Sequence, residues 1–436
     1  MVLVAGLSII MLILTGFCEV SFGVERLPPP DFVETNHQIP STDQIIKAIP
    51  HQEVYEYIDV AVLAATLLLS SYLVLKKRSR RAVFILMIFS LLYFGFWRRG
   101  CVCSVGAMQN LVLSVFDKTY AVGLTVLAFF MLPLVATLFF GRTFCAAVCP
   151  LGVMQDLVLT RPVSVPQWIE RGLRLFAYLY LAASVLFAAT GSAFIICRYD
   201  PFISFYRLSG NLNLLILGVC FLVTGVFIGR PYCRFICPYG VILRQLSKVS
   251  RWKVTITPDD CIKCRLCEDA CPFGAIEKPT TEWPQAGYAK SKVTLGLLIL
   301  LLPLLVLAGG GSGTKLSTSW SRMHATVRLA ERIYLENEGL VQGTTNSSNA
   351  FRATGKGVQQ LYDEAMQIRT RFKYGGSAVG AFMGLVAGIF FIKSSIRLKR
   401  TDFVADRAGC LACGRCFEYC PREQVRLKKL RESRTG

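Results

Sequence analysis

Two runs of cysteine have the spacing of an iron–sulfur ligand set. Cys261, Cys264, Cys267 and Cys271 read C-x2-C-x2-C-x3-C and are followed by Pro272; Cys410, Cys413, Cys416 and Cys420 repeat the run and are followed by Pro421. This is how bacterial ferredoxins hold [4Fe–4S] cubanes. Thiolates are needed because cluster iron takes soft, anionic ligands. The tight loop puts three sulfurs on one cluster and throws the fourth away from it, and in two-cluster ferredoxins that fourth cysteine serves the other cluster. The spacing therefore predicts a swap. Cys420 completes the cluster of Cys261, Cys264 and Cys267, and Cys271 completes that of Cys410, Cys413 and Cys416. Zinc is the competing chemistry, but its knuckles are paired C-x-x-C units set well apart.

A second pattern is a repeat. GRTFCAAVCPLG (141–152) and GRPYCRFICPYG (229–240) both read G-R-x-[FY]-C-x3-C-P-x-G. Cys-Pro suits a helix start, with proline at the first position, where the helix dipole favours a thiolate. Cys145, Cys149, Cys233 and Cys237 on one face of a helical bundle can ligate a further cluster or metal; as reduced structural cysteines they only pack. C-x3-C leaves both open. Arg142, Arg230 and Arg234 stand where they would offset cluster charge, although ordinary arginines flanking a span explain them equally.

A third relation is weaker. Cys103-x2-Gly106-x-Met108-Gln109-Asn110-Leu111 resembles Cys149-x2-Gly152-x-Met154-Gln155-Asp156-Leu157, with one apolar stretch between them, so related elements face opposite sides of a membrane. Cys101, Cys103 and Cys197 (in Cys197-Arg198-Tyr199-Asp200-Pro201) then form an outer group of thiols. They read either as an outer redox station holding metal or as a disulfide in an oxidising compartment. Cys220 lies inside an apolar stretch as packing, and Cys18 has no assignment.

The elements that must position these groups are membrane helices. The 436 residues are 53% hydrophobic and 17% charged, against about 25% charge in soluble domains, which excludes an ordinary soluble enzyme. The net charge of +20 sits in short clusters beside apolar runs, such as 76–81, the mark of cytoplasmic loops. No long soluble basic domain exists, so nucleic acid is excluded as a partner. Three histidines (His37, His51, His324), none in an apolar run, and no C-x-x-C-H motif exclude haem ligated by this chain's histidines.

Residues 1–17 read as a signal peptide or anchor, without the basic start such segments carry, and 18–57 as a short extracytoplasmic leader. Apolar stretches near 58–75, 82–97, 120–140, 172–196, 211–229, 293–310 and 377–393 approach the ~20 residues needed to span a bilayer. The basic segments 76–81, 142–171, 230–253 and 393–400 belong on the inner side. The expected fold is an all-α polytopic membrane protein of about seven transmembrane helices. A small α+β ferredoxin-like 2[4Fe–4S] domain assembles on it from two separated segments. Its divisions are a helical core at 58–253 bearing the C-x3-C-P repeats, ferredoxin halves at 254–290 and 397–436, and transmembrane helices at 291–310 and 376–396. Between those helices, 311–375 reads as an outer helical hairpin. Trp320, Met323, Val327, Ala330 and Tyr334 keep helical spacing, as do Val358, Leu361, Ala365, Ile368 and Phe372, with turn material at 343–349.

With these motifs the chain resembles the NosR/NapH family of polytopic membrane iron–sulfur proteins over roughly 58–280 and 377–421. The resemblance implies electron transfer in the bacterial inner membrane, between the quinol pool or cytoplasmic donors and a periplasmic acceptor. Such an acceptor is a flavoprotein, cytochrome or reductase. It also implies that Cys145, Cys149, Cys233 and Cys237 take the family's C-x3-C-P positions. Two departures stand out: NosR-type proteins carry a large periplasmic flavin-binding domain, for which residues 19–56 are too short, and the 311–375 hairpin is not an expected family feature.

The leading function is thus a membrane electron conduit, the redox subunit of a membrane oxidoreductase. A redox-sensing membrane regulator, and a reductase or assembly factor for a metalloenzyme, are the alternatives. No carboxylate pair, Ser/His/Asp set or phosphate loop supports hydrolysis or NAD chemistry in this chain.

Overall fold

The computed structural model describes residues 53–100, 103–118, 120–163, 165–208, 212–256, 261–280, 288–396 and 400–435. Cys18, Cys101, His37, His51, the 1–17 run and nearly all of the leader lie outside the described residues. In chain order the principal helices are α1 (Glu53–Tyr72), α2 (Arg80–Ser90), α3 (Ser104–Phe116), α4 (Leu124–Phe140), α5 (Pro150–Leu157), α6 (Gln167–Ala189), α7 (Leu212–Phe227) and α8 (Pro238–Ser247). They are followed by α9 (Tyr288–Ser321), α10 (Ala325–Asn337), α11 (Asn346–Ala353), α12 (Val358–Ser395) and α13 (Pro421–Thr435). The chain divides into two compact units, one of 54–310 with 379–436 and another containing 311–378.

In the larger unit local chemistry sets the helix starts. The Ser79 hydroxyl accepts from the Ala82 amide to cap α2, and Pro150 and Pro238 occupy the first positions of α5 and α8, where a missing N–H costs nothing. Among the described residues five helices are long and apolar enough to cross a membrane: Val54–Lys77, Arg80–Trp97, Trp168–Ala189, Lys292–Ser321 and Val358–Ser395. The first two continue α1 and α2 through π-helical turns at Leu73–Lys77 and Leu91–Trp97. All seven expected apolar stretches contain helix, but α4 and α7 are shorter than the other five, and α3 is a further short apolar helix where the apolar pattern gives no span.

The helices pack around buried Met87, Val153, Phe202 and Leu243. Where α9 meets α12, glycine recurs every fourth residue at Gly376, Gly380, Gly384 and Gly388. A side-chain carbon added at Gly384 would lie 2.2 Å from the Leu305 carbonyl oxygen, so the two backbones touch as in small-residue membrane packing. The two cysteine-rich segments are joined by a two-stranded antiparallel ladder, β1 (Ile276–Glu277) with β2 (Val404–Ala405), in the register Ile276↔Ala405.

The smaller unit packs Val327, Ala330 and Ile333 of α10 against Leu361 and Ala365 of α12; Met323 and Tyr334 are exposed. Its boundaries differ from the sequence expectation. The helix expected to end at 310 runs on to Ser321, and the one expected to start at 376 begins at Val358, because a helix needs backbone hydrogen bonds rather than apolar side chains. The turn expected at 343–349 is partly α11, which Thr345 and Ser348 start with a reciprocal capping box.

Candidate metal centres

The two ferredoxin-spaced segments fold over each other and make two thiol-lined cavities. The first is lined by Cys261, Cys264, Cys267 and Cys420, with Ile256, Phe403 and Pro421 around them. The second is lined by Cys271, Cys410, Cys413 and Cys416, with Val254, Phe273 and Leu411. In each, three cysteines come from one segment and one from the other, and the β1–β2 ladder holds the segments in place. Burial first, then the neighbouring Cys261, Cys420 and Cys264, push the Cys267 thiol up to about 11. Burial likewise raises Cys410 to about 12, with Cys413 and Cys271 adding to it. Crowded, buried thiols of this kind are held as thiolates only by a strong positive charge, which a metal centre supplies.

The C-x3-C-P repeats bring their four cysteines together. Cys145 lies in a π-helical turn (Phe144–Val148), Cys149 and Cys237 are the residues before α5 and α8, and Cys233 lies in the short helix Pro231–Phe235. Burial raises the Cys149 thiol, and Cys233, Cys145 and Cys237 raise it further. The Gln155 amide donates to Cys233 Sγ at 3.3 Å, and its Oε1 accepts from the Tyr232 N–H at 3.0 Å. Gly229 opens the second copy at a point where a side-chain carbon would come 2.9 Å from the Pro272 carbonyl oxygen. The glycine thus lets the repeat approach the first cysteine-rich segment.

Three arginines surround this quartet. Arg142 Nη2 reaches Cys145 Sγ at 3.8 Å while its Nη1 donates to the Ala408 carbonyl at 3.3 Å. Arg230 is fully buried; it donates to the carbonyls of Cys145 and Ala146 and pairs with Asp156 at 3.5 Å. Arg234 pairs with Glu170 at 2.8 Å. Asp156 also takes Arg80 at 2.9 Å and Arg415 at 3.4 Å. Burial alone would raise its carboxyl, but Arg230, Arg415 and Arg80 outweigh that and hold it well below the usual carboxylate range. Sequence reasoning passed over Asp156 as a hub; its only signal is a lone acid, next to Gln155, in the largely apolar run Val153–Leu159.

The sets adjoin one another. Cys267, Cys261, Cys271, Cys410 and Cys416 share one apolar cluster around Ile276 and Phe403. Cys145 shares another with Cys271, Cys410 and Cys413. Cys149 lines a further cavity together with Cys103, Asp200 and Tyr206. Cys197 Sγ and Cys103 Sγ both lie close to Gly106, and Cys220 is partly buried in α7. Among the described residues no three His, Cys, Asp or Glu side chains are close enough to grip a single ion. The wider thiol sets suit a multi-iron core, which spans several ångströms, rather than a lone zinc.

Comparison with known proteins agrees in kind. Two 4Fe–4S binding domain models match, one over residues 122–174 and 211–257, which takes in both C-x3-C-P repeats, and one over 254–277. Among curated proteins, YccM of Escherichia coli (strain K12), named for electron transport, is 29% identical over 122 residues, 26% of this chain and 34% of that protein. Protein NirI of Paracoccus denitrificans is 30% identical over 27% of this chain and 18% of its own length. The uncharacterized protein MJ0749 of Methanocaldococcus jannaschii is 33% identical over 16% of this chain and 29% of its own. The match thus spans well under half the length of each of these relatives. No solved structure matches. With its apolar helices, the chain is a membrane iron–sulfur protein of the ferredoxin type.

Proposed function

We propose that the chain is an electron conduit of the bacterial inner membrane. In this reading Cys261, Cys264, Cys267 and Cys420 hold one [4Fe–4S] cluster, and Cys271, Cys410, Cys413 and Cys416 hold a second. Cys145, Cys149, Cys233 and Cys237 hold a further thiol-ligated centre. The observation that carries it is the unbroken adjacency of the thiol sets, since cluster-to-cluster transfer needs neighbours. Bound clusters supply one-electron chemistry; the protein supplies placement, burial and charge that set their potentials.

The residues divide the work. Arg142 and Arg230 place positive charge against Cys145, and Gln155 donates to the Cys233 sulfur, both of which favour the reduced, more negative state of a centre there. Asp156 holds Arg230, Arg80 and Arg415 in register, so the membrane repeats and the second ferredoxin segment keep one geometry. The basic segments put the ferredoxin halves on the cytoplasmic side, with about seven crossings between them and a periplasmic acceptor. Quinol or a cytoplasmic carrier is the donor, and the acceptor is a redox protein such as a cytochrome, flavoprotein or reductase.

The test has two parts. Iron and acid-labile sulfide in anaerobically purified chain should exceed the roughly eight irons of two cubanes, and Cys145→Ala should lower that excess by one centre while sparing the ferredoxin pair. In liposomes, dithionite-reduced protein should pass electrons to a membrane-impermeant acceptor on the far side. A reduced protein that delivers none across the bilayer would remove the conduit and leave a sensor.

A further inference from the structure

The structure carries a second copy of the device that holds the C-x3-C-P quartet. In the quartet, a helix that begins at a cysteine (Cys149, α5) carries a glutamine six residues on. That Gln155 accepts the N–H of Tyr232, the residue just before Cys233. On α3 the same parts recur. Cys103 begins the helix, its Sγ accepting from the Gly106 N–H at 3.4 Å. Gln109, six residues on, accepts the N–H of Ile196, the residue just before Cys197, at 3.1 Å. Both glutamines are fully buried. The second cysteine is then followed by a further ligand-type side chain and a proline in both places: Cys237 before Pro238, and Asp200 before Pro201. Cys237 Sγ accepts from the Gly240 N–H, and Asp200 Oδ1 accepts from the Phe202 N–H at 2.9 Å. A carboxylate thus stands where the inner set has its last thiol.

The side chains converge. A carbon placed on Gly106 would lie 3.0 Å from Cys197 Sγ and 3.9 Å from Cys103 Sγ, so the two sulfurs are no further apart than those lengths end to end. Cys103 and Asp200 line one cavity, and Cys149 of the inner quartet lines it too. Two buried polar groups at this place have no partner among the described residues. The Gln109 Nε2 is one, although its counterpart on Gln155 donates to a cysteine sulfur. The Tyr206 hydroxyl, on the wall of the same cavity, is the other. A buried amide and hydroxyl left without acceptors are unfavourable, and a sulfide-rich anionic core is an acceptor for both.

We propose that Cys103, Cys197 and Asp200 ligate a further iron–sulfur cluster, the station beyond the C-x3-C-P quartet. Soft thiolates select iron–sulfur cores. The cluster exchanges single electrons with the centre at Cys149, one being oxidised as the other is reduced, so it rests on the conduit reading and extends it.

The experiment uses the full-length chain, reconstituted anaerobically with ferrous iron and sulfide. Cys197→Ala and Asp200→Asn should each lower iron and labile sulfide by one cluster and remove one wave from an EPR-monitored redox titration, leaving the ferredoxin waves in place. Asp200→Cys should retain the iron and move the potential of that single wave, which a merely structural aspartate would not do. Unchanged iron in Cys197→Ala, or Cys103 and Cys197 recovered as a disulfide from the reconstituted protein, overturns the site. Ferredoxin signals absent from the parent chain would instead defeat the conduit, while iron still dependent on Cys197 would uphold this cluster.

Discussion

The unit that carries the cysteines and the unit that contains residues 311–378 are held by different kinds of contact. In the first, polar bonds join residues hundreds of positions apart. Arg78 pairs with Glu423 at 2.8 Å, Arg80 donates to the Cys413 carbonyl at 3.0 Å, and Arg142 donates to that of Ala408. In the second, an apolar stripe meets an apolar stripe, and Glu336 gathers Arg332, Arg352 and Ser348 from its own neighbourhood. Long-range stitching makes a cofactor site depend on residues far along the chain, whereas local packing confines damage to where it occurs.

The largest effect should come from Cys420→Ala. Cys420 faces the cavity of Cys261, Cys264 and Cys267, so the substitution should abolish or convert the EPR signal of that remote cluster and spare the one beside Cys410. Loss confined to the cluster nearest in sequence would break the comparison at its root, because the two segments would then act separately.

Next is Asp156→Asn. Its carboxylate is almost fully buried among three arginines, and removing one partner of a buried ionic group costs about 3–5 kcal/mol. Thermal unfolding in detergent should shift down, and the C-x3-C-P centre should be lost before the ferredoxin signals, since Arg230 also holds the Cys145 carbonyl. Equal loss from both would show that the hub stabilises the unit without positioning that centre.

What was legible in the sequence follows the same division. Thiol spacing marked the two ferredoxin runs and the repeats because cluster chemistry fixes those intervals locally. That Cys420 would lie with the first run and Cys271 with the second was legible too, from loop geometry, and the cavity linings place them so. Asp156 was not, because its partners at 80, 230 and 415 become neighbours only after folding. The pairing of Gln109 with Ile196 escaped for the same reason, although the Cys-x2-Gly-x-Met-Gln likeness was in plain view. The helical spacing from Val358 was read, but that it runs unbroken into the apolar helix, as Tyr288–Ser321 likewise runs past its apolar part, was missed because hydropathy reports the surroundings of side chains and those stretches are polar yet helical. The glycine repeat from Gly376 to Gly388 was a readable sign of close helix contact that apolar counting overlooked.

A smaller effect is expected from Ile333→Ala in the hairpin unit. Ile333 is 1% exposed, and such truncations cost about 2–5 kcal/mol locally. Hydrogen exchange should rise in α10 and α11, with iron content and every EPR signal unchanged. Any change in the clusters would mean that the two units are coupled more tightly than their separate cores imply.

The smallest effect belongs to Glu336, and its sign can be worked out. Desolvation pushes its carboxyl up, but Arg332, Ser348 and Arg352 outweigh it and hold the carboxyl below the ordinary glutamate value. A depressed carboxylate stabilises the folded form fully above its unfolded value, and the contribution fades as pH falls through the folded one. Protection of the α10–α11 amides should therefore weaken as the medium is acidified below about pH 4.3, and Glu336→Gln should flatten that dependence. Salt should shrink the difference between the two proteins, because Arg352 is 40% exposed and its pair is screened. A pH dependence that survives in Glu336→Gln would move the titrating group elsewhere in the unit. The local ion cluster would then not be what sets this unit apart from the stitched one.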